Sequence, residues 1–167
     1  MTSHWADLAM HTRGLESLYS VIPPLRSVRL RSFHLDWRGP TVTTRIDLPS
    51  YPEHPPPAWS DLDHDTLQLH LQFLAVDDLA VHGRIPRTPV DINFSALADR
   101  RLFAQWSGDG LEFSFTCSDS LAIGHISSFR TTESASDDGA RSFLQPLDAR
   151  RFSSLPGTHE STFYGHL

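Results

Sequence analysis

Residues 66–82 read TLQLHLQFLAVDDLAVH. Leu67, Leu69, Leu71 and Phe73 alternate with Thr66, Gln68, His70 and Gln72. A period of two places one set of side chains on each face of a β-strand. The phase then slips. Leu74 and Val76 fall on the second face, and Leu79 and Val81 return to the first. One slip in a long strand implies a β-bulge, or a strand bent to serve two parts of a curved sheet. The stretch is therefore read as a long strand in the middle of an antiparallel sheet.

Its neighbours extend the same pattern. Residues 25–37 alternate as a first strand, with Val28 and Leu30 in one phase and Phe33, Leu35 and Trp37 in the other, so a bulge is expected near Ser32. Arg38-Gly39-Pro40 turns the chain, and residues 41–48 return with Val42, Thr44, Ile46 and Leu48 on one face and Thr41, Thr43, Arg45 and Asp47 on the other. Further strands are read at 90–96, 102–106, 111–117 and 120–130. In the last, Leu121, Ile123 and Phe129 share a phase, Ala122, Gly124 and Ile126 share the other, and apolar or small residues on both faces predict burial on both sides. Residues 49–57 hold five prolines and are too poor in N–H donors to lie inside a sheet.

Only residues 3–20 carry a helical spacing. Ser3 is placed to cap it, Trp5, Leu8 and Ala9 share a face, and Leu15, Leu18 and Tyr19 repeat the spacing after Gly14. Together these elements predict an α+β fold in one domain over 1–167. Residues 1–24 form the helical segment, 25–131 the sheet, 132–140 a mobile loop, and 141–167 a tail packed on the body. The sheet is expected to be curved, mostly antiparallel and of about seven or eight strands, with the short N-terminal helices packed on it.

The totals narrow the function. The formal net charge is −6, and all 14 basic residues are arginine. Net acidity argues against nucleic-acid binding, which asks for a basic stripe, and suits a basic protein partner. Cys117 is the one cysteine, so no intramolecular disulfide forms. The N-terminus lacks the pattern of a signal peptide, and no apolar stretch nears the ~20 residues of a membrane span, so a cytosolic protein is expected.

Motifs for catalysis are absent. There is no P-loop, GxGxxG, GxSxG or HExxH. Asp61, Asp63 and Asp65 with His64 gather oxygen ligands, yet an EF-hand counted from Asp61 would need glycine and glutamate where Thr66 and Gln72 stand. A nonspecific divalent site is the metal reading of that run; a solvated or partner-contacting acidic loop is the plainer one. His125 among small residues reads as a hydrogen-bonded core or interface histidine, with a catalytic role as the sharper alternative. Cys117 reads as a small core hydrophobe. No cofactor is implied.

Several segments carry a resemblance: GLESLYSVIPPLRSVRLRSFHLDWRGPTVTTRIDLP at 14–49, DTLQLHLQFLAVDDLAVHG at 65–83, GHISSFR at 124–130, LDARRFSSLPG at 147–157 and FYG at 163–165. Together they resemble the immunity protein 50 family of bacterial polymorphic toxin systems. The resemblance implies a small cytosolic protein, not an enzyme, that binds a cognate toxin and neutralises it. It carries no catalytic residues over. On charge, the toxin would be basic, a nuclease being the class that fits. The acidic candidates for that contact are Asp61, Asp63, Asp65, Asp77, Asp78, Asp137 and Asp138, with Trp59 as an aromatic anchor. Two other classes are weighed beside it: a sugar or small-ligand module in the mouth of a curved sheet, and an enzyme built from dispersed His and Asp residues.

Overall fold

The computed structural model describes residues 4–152 except Ile85 and Asp138. Two short helices, α1 (Trp5–Leu8) and α2 (Arg13–Leu18), flank the two-residue strand β1 (Ala9–Met10). Then come β2 (Arg29–Asp36), β3 (Thr41–Asp47), a 3-10 turn at Pro57–Trp59, β4 (Thr66–Phe73), β5 (Asp77–Gly83), β6 (Asp91–Leu97), β7 (Arg101–Gly108), β8 (Leu111–Ser118), β9 (Leu121–Phe129), β10 (Arg141–Phe143) and α3 (Pro146–Arg151). The chain is mostly β, and the expected single curved sheet is corrected to two. Six strands form one, in the order β1-β9-β4-β3-β2 with β10 also paired to β9, and four form the other, in the order β5-β8-β7-β6. All ladders are antiparallel except β1 with β9.

The phase slip after Phe73 is where the chain changes sheet. β4 belongs to the six-stranded sheet and β5 to the four-stranded one. Ala75 at the corner has φ +50, a left-handed conformation that turns the chain sharply. So 66–82 is not one long strand with a bulge but two strands and a corner, the sharper form of the bend that the slip implied. The bulge expected near Ser32 does occur, between Leu30 and Ser32 against β3.

The two sheets share one core. Leu67, Leu69, Leu71 and Phe73 are fully buried, as their alternation requires. Phe73 meets Trp106 and Phe115 edge-on, with ring centroids 5.2 and 5.0 Å apart, so β4 packs directly on β7 and β8. Each such side chain contributes about 1.5–3 kcal/mol by leaving water. Val28 and Val90 exchange backbone hydrogen bonds of 2.9 and 2.8 Å and tie the sheets at one end. Trp5, Leu15, Leu18 and Tyr19 close the core from the N-terminal side.

The short helices expected within 3–20 are present, but a strand that hydrogen-bonds to β9 separates them. Ser3 lies outside the described residues, and His4 accepts from the Ala6 N–H at the start of α1. The tail reading reaches as far as Phe152, through β10 and α3; residues 153–167 lie outside the described residues. Among the described residues no helix is long and apolar enough to cross a membrane.

Candidate functional site

Both faces of β4 are sealed, and that is the unexpected feature. Gln68 and His70 belong to its polar face, yet each is only 1% exposed. Asp137, Arg141 of the neighbouring strand β10 and Asp148 of α3 bring polar groups to that face. Gln68 donates from Nε2 to Asp47 at 2.8 Å and to Asp137 at 2.9 Å, while its Oε1 accepts from Arg141 Nη1 at 2.8 Å. Arg141 also donates to Ser127 Oγ at 3.1 Å and to the Asp137 carbonyl at 2.6 Å. Arg31, at the β2 bulge, pairs with Asp47 at 2.6 Å and donates to the Ala135 carbonyl at 2.5 Å. Arg45 stands 3.5 Å from Asp137. Burial works to raise the Asp137 carboxyl, but the Gln68 hydrogen bond and the charges of Arg45, Arg31 and Arg141 outweigh it and hold the group below the usual carboxylate range. Burial lowers the Arg141 pKa to about 10 without discharging it near neutrality.

Next to this network stands an imidazole pair. His70 and His125 meet edge to face, with ring centroids 4.8 Å apart. His125 Nδ1 lies 3.5 Å from Asp148 Oδ2 of α3, and both side chains are fully buried. A bulge in β9 puts His125 there. Gln68 pairs with Ser127 and His70 with Gly124, so His125 and Ile126 together oppose Leu69. His125 takes φ +49. In an unbroken strand His125 would point with Leu121 and Ile123 into the apolar core; the extra residue turns it to the polar face. The same bulge shifts the phase beyond it. Phe129, read as sharing a face with Leu121, pairs instead opposite Thr66 and lies beneath the Arg141 guanidinium, 4.8 Å from ring centroid to Cζ.

A histidine beside a carboxylate has the parts of a general acid–base pair. Here the solvent exposure of His70, His125 and Asp148 is at most 2%, so no substrate reaches them without the C-terminal segment opening. Burial first, then the electrostatic influence of neighbouring His125, Arg45 and Arg141, push the His70 pKa down to about 3, so the ring is neutral near pH 7. Among the described residues no group of three or more His, Cys, Asp or Glu is arranged to hold a metal. These contacts tie the C-terminal segment to the sheet. A cavity of about 380 Å³ lies elsewhere, between the edges of β2 and β5, lined by Leu30, Phe33, Val81, Arg84 and Leu111 among others.

The acidic candidates for a partner contact separate into three groups. Asp61, Asp63 and Asp65 are exposed at the start of β4. Asp63 pairs with Arg130, and Asp65 accepts from Thr66 Oγ1 and from both N–H and Oγ1 of Thr131, so these two also pin the end of β9. Asp77 and Asp78 are exposed at the other end of β4, across the corner. An eight-residue strand separates the two groups by about 25 Å. Asp137 is buried in the arginine network, and Trp59 is 4% exposed in the core, so neither is displayed to a partner in this conformation. Asp138 lies outside the described residues. Cys117 is buried, and burial pushes its thiol up to about 12, the behaviour of a core residue.

The sequence reading missed Gln68, His70, Asp47, Arg31, Arg45, Arg141 and Asp148 as a group. Their residue types were visible, but nothing local says that a polar stretch seventy residues later lies on them. Residues 11–124 match the model of a family described as immunity protein 50. No curated protein and no solved structure matches the chain.

Proposed function

The chain belongs to the immunity protein 50 family, and from that premise we propose that it neutralises a bacterial toxin by binding it one to one in the cytosol of the cell that makes both. The family match over 11–124 is the observation that carries this reading. Two features of the molecule support it. The polar cluster under its C-terminal segment is enclosed and works as internal support, and its net charge of −6 suits a basic partner. Inhibition then comes from occupancy: a rigid acidic surface covers the working face of a basic toxin domain, a nuclease being the class whose charge fits. Asp61, Asp63, Asp65, Asp77 and Asp78 are the displayed carboxylates available for that contact.

The test is direct. The purified protein is titrated with the toxin domain encoded beside its gene, and cells expressing that toxin are plated with and without the protein. A stoichiometric complex and rescued growth are expected. Absence of both would end the immunity reading.

A further inference from the structure

The two sheets are finished differently. Every residue of β9, from Leu121 to Phe129, is buried, because this strand of the six-stranded sheet is covered on both faces. In β8 burial alternates strictly: Leu111, Phe113, Phe115 and Cys117 are buried, while Glu112, Ser114, Thr116 and Ser118 are not. β7 alternates in the same way. One face of the four-stranded sheet is therefore core and the other is open to water.

The open face has an unusual make-up. Register places Ser95, Phe103, Thr116 and Asp77 in one row across all four strands, and Asn93, Gln105, Ser114 and Ala80 in the next. Small polar side chains lose little conformational freedom when covered, and a part-exposed aromatic among them offers a partner an apolar anchor. Phe103 is that aromatic. Beyond it, towards the corner, Leu97 is 47% exposed, and a shallow concavity of about 600 Å³ opens beside Asp77 and Asp78. The cations there are engaged: Arg101 donates to the Ala75 carbonyl and to Thr116, and Arg100 pairs with Asp119. Carboxylate charge thus dominates this end of the face.

Resting on the immunity reading, we propose that this open face, from Phe103 to the Asp77–Asp78 corner, is where the toxin docks, through a basic surface of its own. Phe103 packs against the aliphatic stems of the toxin's basic side chains, and the two aspartates meet their charges. Four strands of about seven residues present on the order of 500 Å². A stable complex covers roughly 800 Å² a side. The footprint must therefore run over an edge, and the acidic corner is the edge that charge selects. Asp61 and Asp63, about 25 Å away at the other end of β4, fall outside it.

The experiment measures affinity for the adjacently encoded toxin domain with wild type, Phe103→Arg, Ser95→Arg, Asp77→Arg and, as the distant pair of variants, Asp61→Arg and Asp61→Ala. Ser95 and Asp77 are exposed, so those variants report even where Phe103→Arg folds poorly. Weakening by about 100-fold is expected for the first three, with little change for the distant pair. If wild type binds and Ser95→Arg and Asp77→Arg bind as well as it does, the surface assignment is overturned while the immunity reading stands. If wild type itself does not bind, both fall. A dimer of the protein that Ser95→Arg dissolves would make the face a self-interface and would also overturn the assignment.

Discussion

His70 is a neutral imidazole enclosed by positive charge, and its protonation carries a predictable cost. It faces His125 on β9, Arg45 on β3, Arg141 on β10 and, through His125, Asp148 on α3. Its pKa is about 3 in the folded chain, against ~6.5 for an unfolded histidine. Below pH ~6.5 the unfolded chain takes up a proton that the folded chain refuses, so stability is complete above that pH and declines as pH falls towards about 3. A loss of a few kcal/mol by pH 4 is expected from this group. Urea midpoints between pH 7 and pH 4 should fall steeply for wild type and less for His70→Phe, which fills the volume without a titrating nitrogen. Equal slopes would remove His70 as the cause. Asp137 is the complementary case. Replacing it with alanine leaves Arg31, Arg45 and Arg141 buried with one balancing carboxylate fewer, which should cost about 3 kcal/mol. Asp61→Ala, on exposed surface, should stay within about 0.5 kcal/mol in the same denaturation assay.

At the scale of the element, the corner between β4 and β5 depends on one residue adopting a left-handed conformation. Ala75 is exposed, so its substitution tests backbone geometry with little packing change. Ala75→Gly should fall within about 1 kcal/mol of wild type, since relief of strain offsets the added freedom of the unfolded chain. Ala75→Val puts a branched side chain at positive φ and should destabilise by about 2 kcal/mol in urea. Indistinguishable valine and glycine variants would mean the corner is set by packing instead. The corner also marks how far periodicity could be read. Alternation in 66–73 located one face of β4 and the four side chains that fill the core, because a period of two is a local property. The slip at Leu74 was legible as a bend, but a phase change has the same pattern whether the chain bulges within one sheet or crosses to another. The bulge near Ser32 was legible for the same reason, since apolar residues switch phase there. The bulge at His125 was not, because Ala122, Gly124 and His125 give no contrast between faces. The burial of Gln68, His70 and Asp137 is non-local: a polar strand face and a polar segment read as a mobile loop satisfy one another only when brought together.

For the whole molecule, the two kinds of seal should open at different free energies. β4 and β9 are paired on both sides and lie in the middle of the six-stranded sheet. Their amides should exchange only when the protein unfolds globally. The segment carrying β10 and α3 is held otherwise, by a three-residue strand pairing, by a few apolar side chains (Phe143, Leu144 and Phe152) and by polar contacts of Asp137, Arg141 and Asp148. Polar contacts give small net stabilisation because water competes for the same groups. Residues 141–151 should therefore open as a unit below the global free energy, and native-state hydrogen exchange across low urea concentrations should show them merging with β4 and β9 only near the unfolding transition. The open face of the four-stranded sheet gives the contrast. Its central strands β7 and β8 owe their protection to the shared core, and they should not follow the C-terminal segment. If residues 141–151 exchanged in step with β9 at every urea concentration, the covering segment would be part of the main cooperative unit, and the buried histidines would report on global folding alone.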